Sequence, residues 1–325
     1  GLATFAIALR LPTLGSPLIE DEAISFNRYI DSPWIELLLN YNDTNQHTLF
    51  LLLSKFSIWV FGESESIFRL PSFAVSVLSI PLIYRLGLAI KMPWLSALTS
   101  AVLMGLSWPH LKYSLEGRGY GLTMFLVLVA TYSAVHFLNS PRWMWGSLLA
   151  VTGLAMAMTV PSNLFFLGGL AVFTVLAGSL ESKENGKLIN KIFQISIPFL
   201  VMFISIGIYF FIIYEGLKIG KDIHPLVLDA IRTENILGFL IAPWGFWMYL
   251  FFGLGILRLK MARERILFLT IFLIPIFLTL ATEVVGFPRT YVYWLPFALL
   301  LSAHGMTELF SWLEGEIGPL AYVSA

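Results

Sequence analysis

The chain has 325 residues, 58% hydrophobic and 12% charged, with a mean hydropathy of +0.81, whereas a soluble domain carries about 25% charged residues. That leaves too few polar side chains to cover a water-exposed globule, and the balance of 20 Lys and Arg against 20 Asp and Glu excludes a disordered chain and a basic nucleic-acid binder. With no Cys there is no disulfide, thiolate nucleophile or thiolate metal ligand, and the class that remains is a polytopic membrane protein.

Gly1 opens directly onto an apolar run, with neither an initiator Met nor a basic leader. The expectation is a trimmed N-terminus whose first helix stays in the membrane. A span needs about 20 apolar residues, and ten segments meet this: 1–19, 66–90, 93–111, 120–138, 143–160, 162–180, 192–214, 236–257, 266–282 and 290–308. The run 48–61 is apolar too, but it is short and carries Lys55, which predicts a re-entrant or interfacial helix in the first outer loop. The predicted fold is therefore an all-α polytopic membrane protein, a single integral membrane domain over 1–325. Within it, 1–140 holds the outer loop 20–65, and 141–325 supplies the remaining helices with a late outer turn over 283–290. The 10 Trp and 12 Tyr suit repeated crossings of the interface.

Orientation follows from Lys and Arg in short loops. If 48–61 does not cross, one face collects Arg85, Lys91, Arg142, the run Lys183/Lys187/Lys191 and the cluster Arg258/Lys260/Arg263/Arg265. That face is expected to be cytoplasmic, with both termini. Most acidic residues and all long loops then fall on the outer face.

Four polar clusters share that outer face. Glu20-Asp21-Glu22 follows the first helix; a carboxylate at a membrane boundary can serve as general base, although the same triplet suits an acidic cap on a helix predicted over 23–31. Asn42 to His47 leads into the re-entrant run, where His47 is placed either to orient a hydroxyl or as an ordinary loop histidine. In Tyr113 to Tyr120, glycines flank Arg118, so the backbone can approach a ligand closely. The guanidinium suits a phosphate, or else a structural pair with Glu116. In the late turn, Arg289 could share that anion, or join Tyr291 and Trp294 as interface anchors. Asn163, in the break Pro161-Ser162-Asn163, is placed to touch a polar ligand or simply to form a tight turn. Carboxylates for proton transfer and arginines for an anion, beside lipid, point to chemistry on a lipid-linked phosphorylated substrate.

The order of these motifs resembles the GT-C glycosyltransferases. The resemblance rests on Asp21-Glu22-Ala23 after the first helix, the His47 step, Phe61-Gly62-Glu63-Ser64, and then Phe68-Arg69-Leu70-Pro71-Ser72. Within that group the sequence is most similar to the dolichyl-phosphate-mannose protein mannosyltransferase-like family, which includes the lipid A aminoarabinose transferases. Tyr113 to Tyr120 resembles its Glu-Ala-Arg-x-Tyr step with Gly117 in place of Ala, and Arg289-Thr290-Tyr291 ahead of Leu295-Pro296 resembles its late helix start. Where relatives often carry His-Pro-Pro, this chain has His47-Thr48-Leu49.

The resemblance implies inverting transfer of a sugar from a polyprenyl-phosphate donor to a lipid, glycan or protein acceptor, on the outer face of a membrane. The compact chain points to a prokaryotic plasma membrane. Asp21 would be the base with Glu22 beside it, and His47, Glu116, Arg118, Tyr120, Asn163, Arg289 and Tyr291 would line the donor or substrate. No cofactor and no resident metal are expected; a divalent cation held by the acidic triplet is the minor reading. The rival functions are a polyprenyl-lipid or glycolipid flippase and a non-catalytic subunit of a glycan assembly complex. The absence of internal repeats and the gathering of polar groups at one face count against alternating access.

Overall fold

The computed structural model describes residues 1–183, 188–222, 246–282 and 287–323, and among these every regular element is helical. In chain order they are α1 (Leu2–Leu14), α2 (Glu20–Tyr29), α3 (Trp34–Leu39), α4 (Thr48–Phe61), α5 (Glu65–Ala89), α6 (Trp94–Leu106), α7 (Trp108–Ser114), α8 (Tyr120–Asn139) and α9 (Trp143–Thr159). There follow α10 (Asn163–Lys183), α11 (Leu188–Ile212), α12 (Tyr214–Asp222), α13 (Phe246–Arg258), α14 (Ala262–Thr282), a 3-10 segment Pro288–Trp294 and α15 (Leu295–Val323).

A helix lies in each of the ten predicted spans. Five are long and apolar enough to cross a membrane: α5, α8, Asn163–Leu180 of α10, Ile192–Ile212 of α11, and α14. The apolar stretches Thr4–Leu14, Trp94–Leu106, Trp143–Thr159 and Trp247–Arg258 are shorter. The predicted span 93–111 is two helices, because Ser107 adopts extended backbone and Pro109 sits in the first turn of α7, where its missing N–H costs nothing. At 14 residues and about 1.5 Å per residue, α4 is about 21 Å long, short of a hydrocarbon core of about 30 Å. It stops at Gly62, whose φ of 87° is open to glycine at no steric cost.

The first helix of the loop starts at Glu20 rather than 23 and ends at Tyr29. The Glu22 side chain accepts the Ile19 N–H at 2.9 Å, so the acids form the first turn instead of preceding it. Parts of the predicted outer loops, 223–235 and 283–286, and the basic stretch 184–187 lie outside the described residues.

The centre of the bundle is α8, apolar on every side and buried along most of its length, as expected of a helix with no solvent stripe. It packs against α5 and α9. Gly121 lies so close to Ser76 and Ser72 of α5 that a Cβ there would meet Ser76 Oγ at 2.9 Å. Edge-to-face contacts of Phe68 with Phe26 (5.3 Å) and Phe50 (5.4 Å) lock α2 and α4 onto α5. At the far side α13 and α15 cross through Gly255 and Gly305, which face the carbonyls of Leu301 and Phe251 with no room for a Cβ, the close approach that small residues permit. The 3-10 segment before α15 packs on α8 and α10, and so brings Arg289 to the end of the bundle where α2 begins.

Candidate active site

The site is built on two buried arginines, Arg69 and Arg118. Arg69 of α5 is buried with Glu22. Its Nε donates to Glu22 Oε1 at 2.8 Å and its Nη2 to Oε2 at 2.6 Å, a bidentate pair whose planar geometry only arginine offers. The remaining donors go to the chain leaving α1: Leu14 O at 2.9 Å, Ser16 O at 2.5 Å and Pro17 O at 3.1 Å. Glu22 Oε1 also accepts the Gly117 N–H. One ion pair thus fixes the end of α1, the start of α2 and the loop 115–119. Gly117 is held between Glu22 and the Phe68 ring, where a Cβ does not fit; this accounts for glycine where the resembled family has alanine.

One residue back along the first turn of α2, Asp21 points the other way. Its side chain is 32% exposed, and its Oδ2 faces two guanidiniums: Nη1 of Arg118, in a direct ion pair, and Nη1 of Arg289 at 3.5 Å. Arg118 is buried, and each of its nitrogens already has a partner. Nη1 donates to Asp21, Nη2 to Asn45 Oδ1 at 2.9 Å and Nε to His47 Nε2 at 3.3 Å. Its guanidinium lies over the Tyr120 ring at 5.2 Å, and its carbonyl accepts the Ser72 hydroxyl at 2.7 Å. The alternative pair of Arg118 with Glu116 is not formed by the side chains; the Glu116 carbonyl accepts the Arg118 N–H at 2.8 Å.

His47 is buried with both ring nitrogens engaged. Its Nδ1 lies 3.0 Å from Thr159 O, a carbonyl left over at the end of α9. That assigns the proton to Nδ1, so Nε2 accepts from Arg118. Burial, and then the Arg118 charge, pull its pKa down to about 3, so the ring is a neutral acceptor that orients the arginine. Its edge also meets Tyr120, with ring centroids 5.0 Å apart.

Glu116 sits one layer back, mostly buried, 3.7 Å from Lys112 Nζ; burial pushes its pKa up, with Lys112 opposing. Arg289 is a third exposed, its guanidinium lies 4.8 Å over Phe287, and its Nε is buried without a hydrogen-bond partner.

The structure therefore brings together Asp21, His47, Arg118, Tyr120 and Arg289, with Glu22 and Glu116 behind them. Asn163 and Tyr291 are placed in helix packing. Asn163 Nδ2 donates to Thr123 Oγ1 at 3.1 Å and Met156 O at 3.0 Å, tying α8, α9 and α10. The Tyr291 hydroxyl is 3.1 Å from Thr279 Oγ1, and its ring lies against Trp294. Sequence reasoning singled out neither Asn45 nor Arg69 as a site residue. Arg69 carried a readable signal, since a charge inside an apolar span demands a named partner. Among the described residues no three His, Asp or Glu side chains converge as metal ligands. The acidic triplet does not fit a divalent cation as it stands, because Asp21 faces two guanidiniums and Glu22 is taken by Arg69.

No protein-family model matches the sequence, and no curated protein matches it either. Among solved structures the chain is similar to the oligosaccharyltransferase of Archaeoglobus fulgidus, crystallised in complex with Zn and sulfate. The TM-score is 0.55 at 14% identity, over 99% of this chain and 50% of that one. This chain thus spans about half the length of the protein it matches. At that identity the likeness is one of fold alone: the chain shares the helical architecture of that protein, and five of its described helices are long and apolar enough to cross a membrane.

Proposed function

We propose that this protein transfers a sugar from a polyprenyl-phosphate donor to an acceptor hydroxyl, with inversion, using Asp21 as base. The observation that carries the proposal is the placement of Asp21, a partly exposed carboxylate on a first helical turn between Arg118 and Arg289. Asp21 takes the hydroxyl proton as the acceptor oxygen bonds to the anomeric carbon. The bond from that carbon to the phosphate oxygen breaks, and the polyprenyl monophosphate leaves with its charge stabilised by the arginines. Asp21 then returns the proton to water. Attack opposite the leaving group inverts the anomeric centre.

His47, Asn45 and Tyr120 position Arg118, while Glu22 and Arg69 hold the first turn and the 115–119 loop. We propose the site on the outer face of a prokaryotic plasma membrane, with ten crossings and both termini cytoplasmic. A fold shared with an oligosaccharyltransferase and the basic loops on the opposite face support that reading. No metal takes part in these steps, since two guanidiniums already face the carboxylate that would bind it.

The test is transfer of radiolabelled sugar by purified protein to a membrane extract, from polyprenyl-phosphate donors and separately from nucleotide sugars. Transfer from the lipid donor is expected, resistant to chelator and abolished in Asp21→Asn. Transfer from the nucleotide sugar alone, or a fully active Asp21→Asn, overturns the assignment.

A further inference from the structure

The contacts of the three charged groups are unequal, and the inequality says what happens before the reaction. Arg118 already has a partner on each nitrogen and is buried. Arg289 has a looser hold on the same carboxylate oxygen at 3.5 Å, is a third exposed, and keeps a buried Nε with no hydrogen-bond partner. Asp21 meets both cations through Oδ2.

We infer that Asp21 is the stand-in anion of a phosphate site: in the free protein its carboxylate holds the place of a phosphate charge against Arg289, and an incoming isoprenyl phosphate displaces it. This rests on the proposed transfer reaction and adds an order to it. The phosphate takes Arg289 directly, including the unused Nε, while Asp21 keeps its ion pair with Arg118, which acts on the phosphate as the neighbouring charge. The base becomes available to an acceptor hydroxyl once the donor is seated. A carboxylate that both competes for Arg289 and repels the phosphate should weaken donor binding, so removing the base should strengthen it. A residue acting purely as base, with no charge competition, would leave affinity unchanged.

The experiment measures binding of farnesyl monophosphate, and separately inorganic phosphate, to the protein in lipid nanodiscs by calorimetry. Asp21→Asn is expected to bind farnesyl monophosphate about five- to tenfold more tightly than wild type, the effect of one like charge about 3–4 Å away at a water-like dielectric. Asp21→Glu, which keeps the charge, should show no gain. Arg289→Gln should bind about tenfold more weakly, and adding Asp21→Asn to it should restore little.

A matching gain for inorganic phosphate assigns the site to the phosphate group itself. A gain for farnesyl monophosphate alone assigns it to a phosphate carried on a lipid. Unchanged or weaker binding of both probes by Asp21→Asn overturns the exchange, and should that variant not fold, Asp21→Ser gives the same comparison. Lost turnover with unchanged affinity leaves the base standing and removes the exchange. Tighter binding with retained turnover does the reverse.

Discussion

His47, at the mouth of α4, spends both ring nitrogens on Thr159 O and Arg118, and a pKa pulled down to about 3 keeps the ring neutral at ordinary pH. Two outcomes follow. His47→Gln, with an amide able to donate to Thr159 O and accept from Arg118, should keep the shape of the pH–rate profile, whereas His47→Ala should lower the rate by loosening Arg118. Stability carries a sign as well. A histidine whose pKa falls from 6.5 to about 3 on folding binds more protons unfolded, so wild type should lose stability as pH falls from about 6.5 towards 3. Thermal melts of His47→Gln over that window should show a shallower loss; an identical slope would mean that the ring is not buried neutral.

At the scale of elements, the pair of Glu22 with Arg69 joins α1, α2, α5 and the 115–119 loop. Burying two charges is costly, and such a pair adds little net stability over apolar residues, but breaking it leaves one charge stranded. Arg69→Met should therefore cost about 3–5 kcal/mol. Adding Glu22→Gln, which keeps an oxygen for the Gly117 and Ile19 N–H groups, should recover much of that loss. Thermal unfolding of the two single variants and the double would give the coupling, and strict additivity would contradict the pairing.

The sequence made the elements legible where periodicity or punctuation was local. The length of α4, its stop at Gly62 and the spans of α5, α8 and α14 were readable from apolar runs and glycine. The start of α2 was not, because it depends on a side-chain cap. Nor was the identity of the partner of Arg118, because Asp21 lies 97 positions away and Glu116 lies two. Charge counting put Asp21, Arg118 and Arg289 on one face. Tertiary packing alone decides that Glu22 turns inward to Arg69 and Asp21 outward.

At the scale of the whole molecule, Arg10 is a buried charge that takes no part in the proposed reaction. Arg10, in the middle of α1, is fully buried with no carboxylate among its hydrogen-bond partners. Its Nε donates to Ser114 Oγ at 2.9 Å, Nη1 to Ala6 O at 2.9 Å, and Nη2 to His110 Nδ1 at 2.9 Å; His110 Nε2 lies 3.0 Å from Ser79 Oγ. The chain of contacts links α1, α7 and α5 and, at Ser114, ends beside the 115–119 loop that Arg69 and Glu22 hold. A guanidinium keeps its charge, and a buried charge is tolerated only where hydrogen bonds satisfy it, so these contacts tie the three helices together. The site end of the bundle is thus pinned twice by arginine, while the α13–α15 crossing is pinned by glycine contact. These are separate devices, and they should loosen separately. Hydrogen exchange in Arg10→Met is expected to accelerate at the amides of α7, Gly117 and Arg118, leaving Phe251–Leu257 and Leu301–Gly305 at the wild-type rate. Uniform acceleration through α13 and α15 would make Arg10 a general stabiliser, and unchanged exchange at Gly117 would detach it from the site.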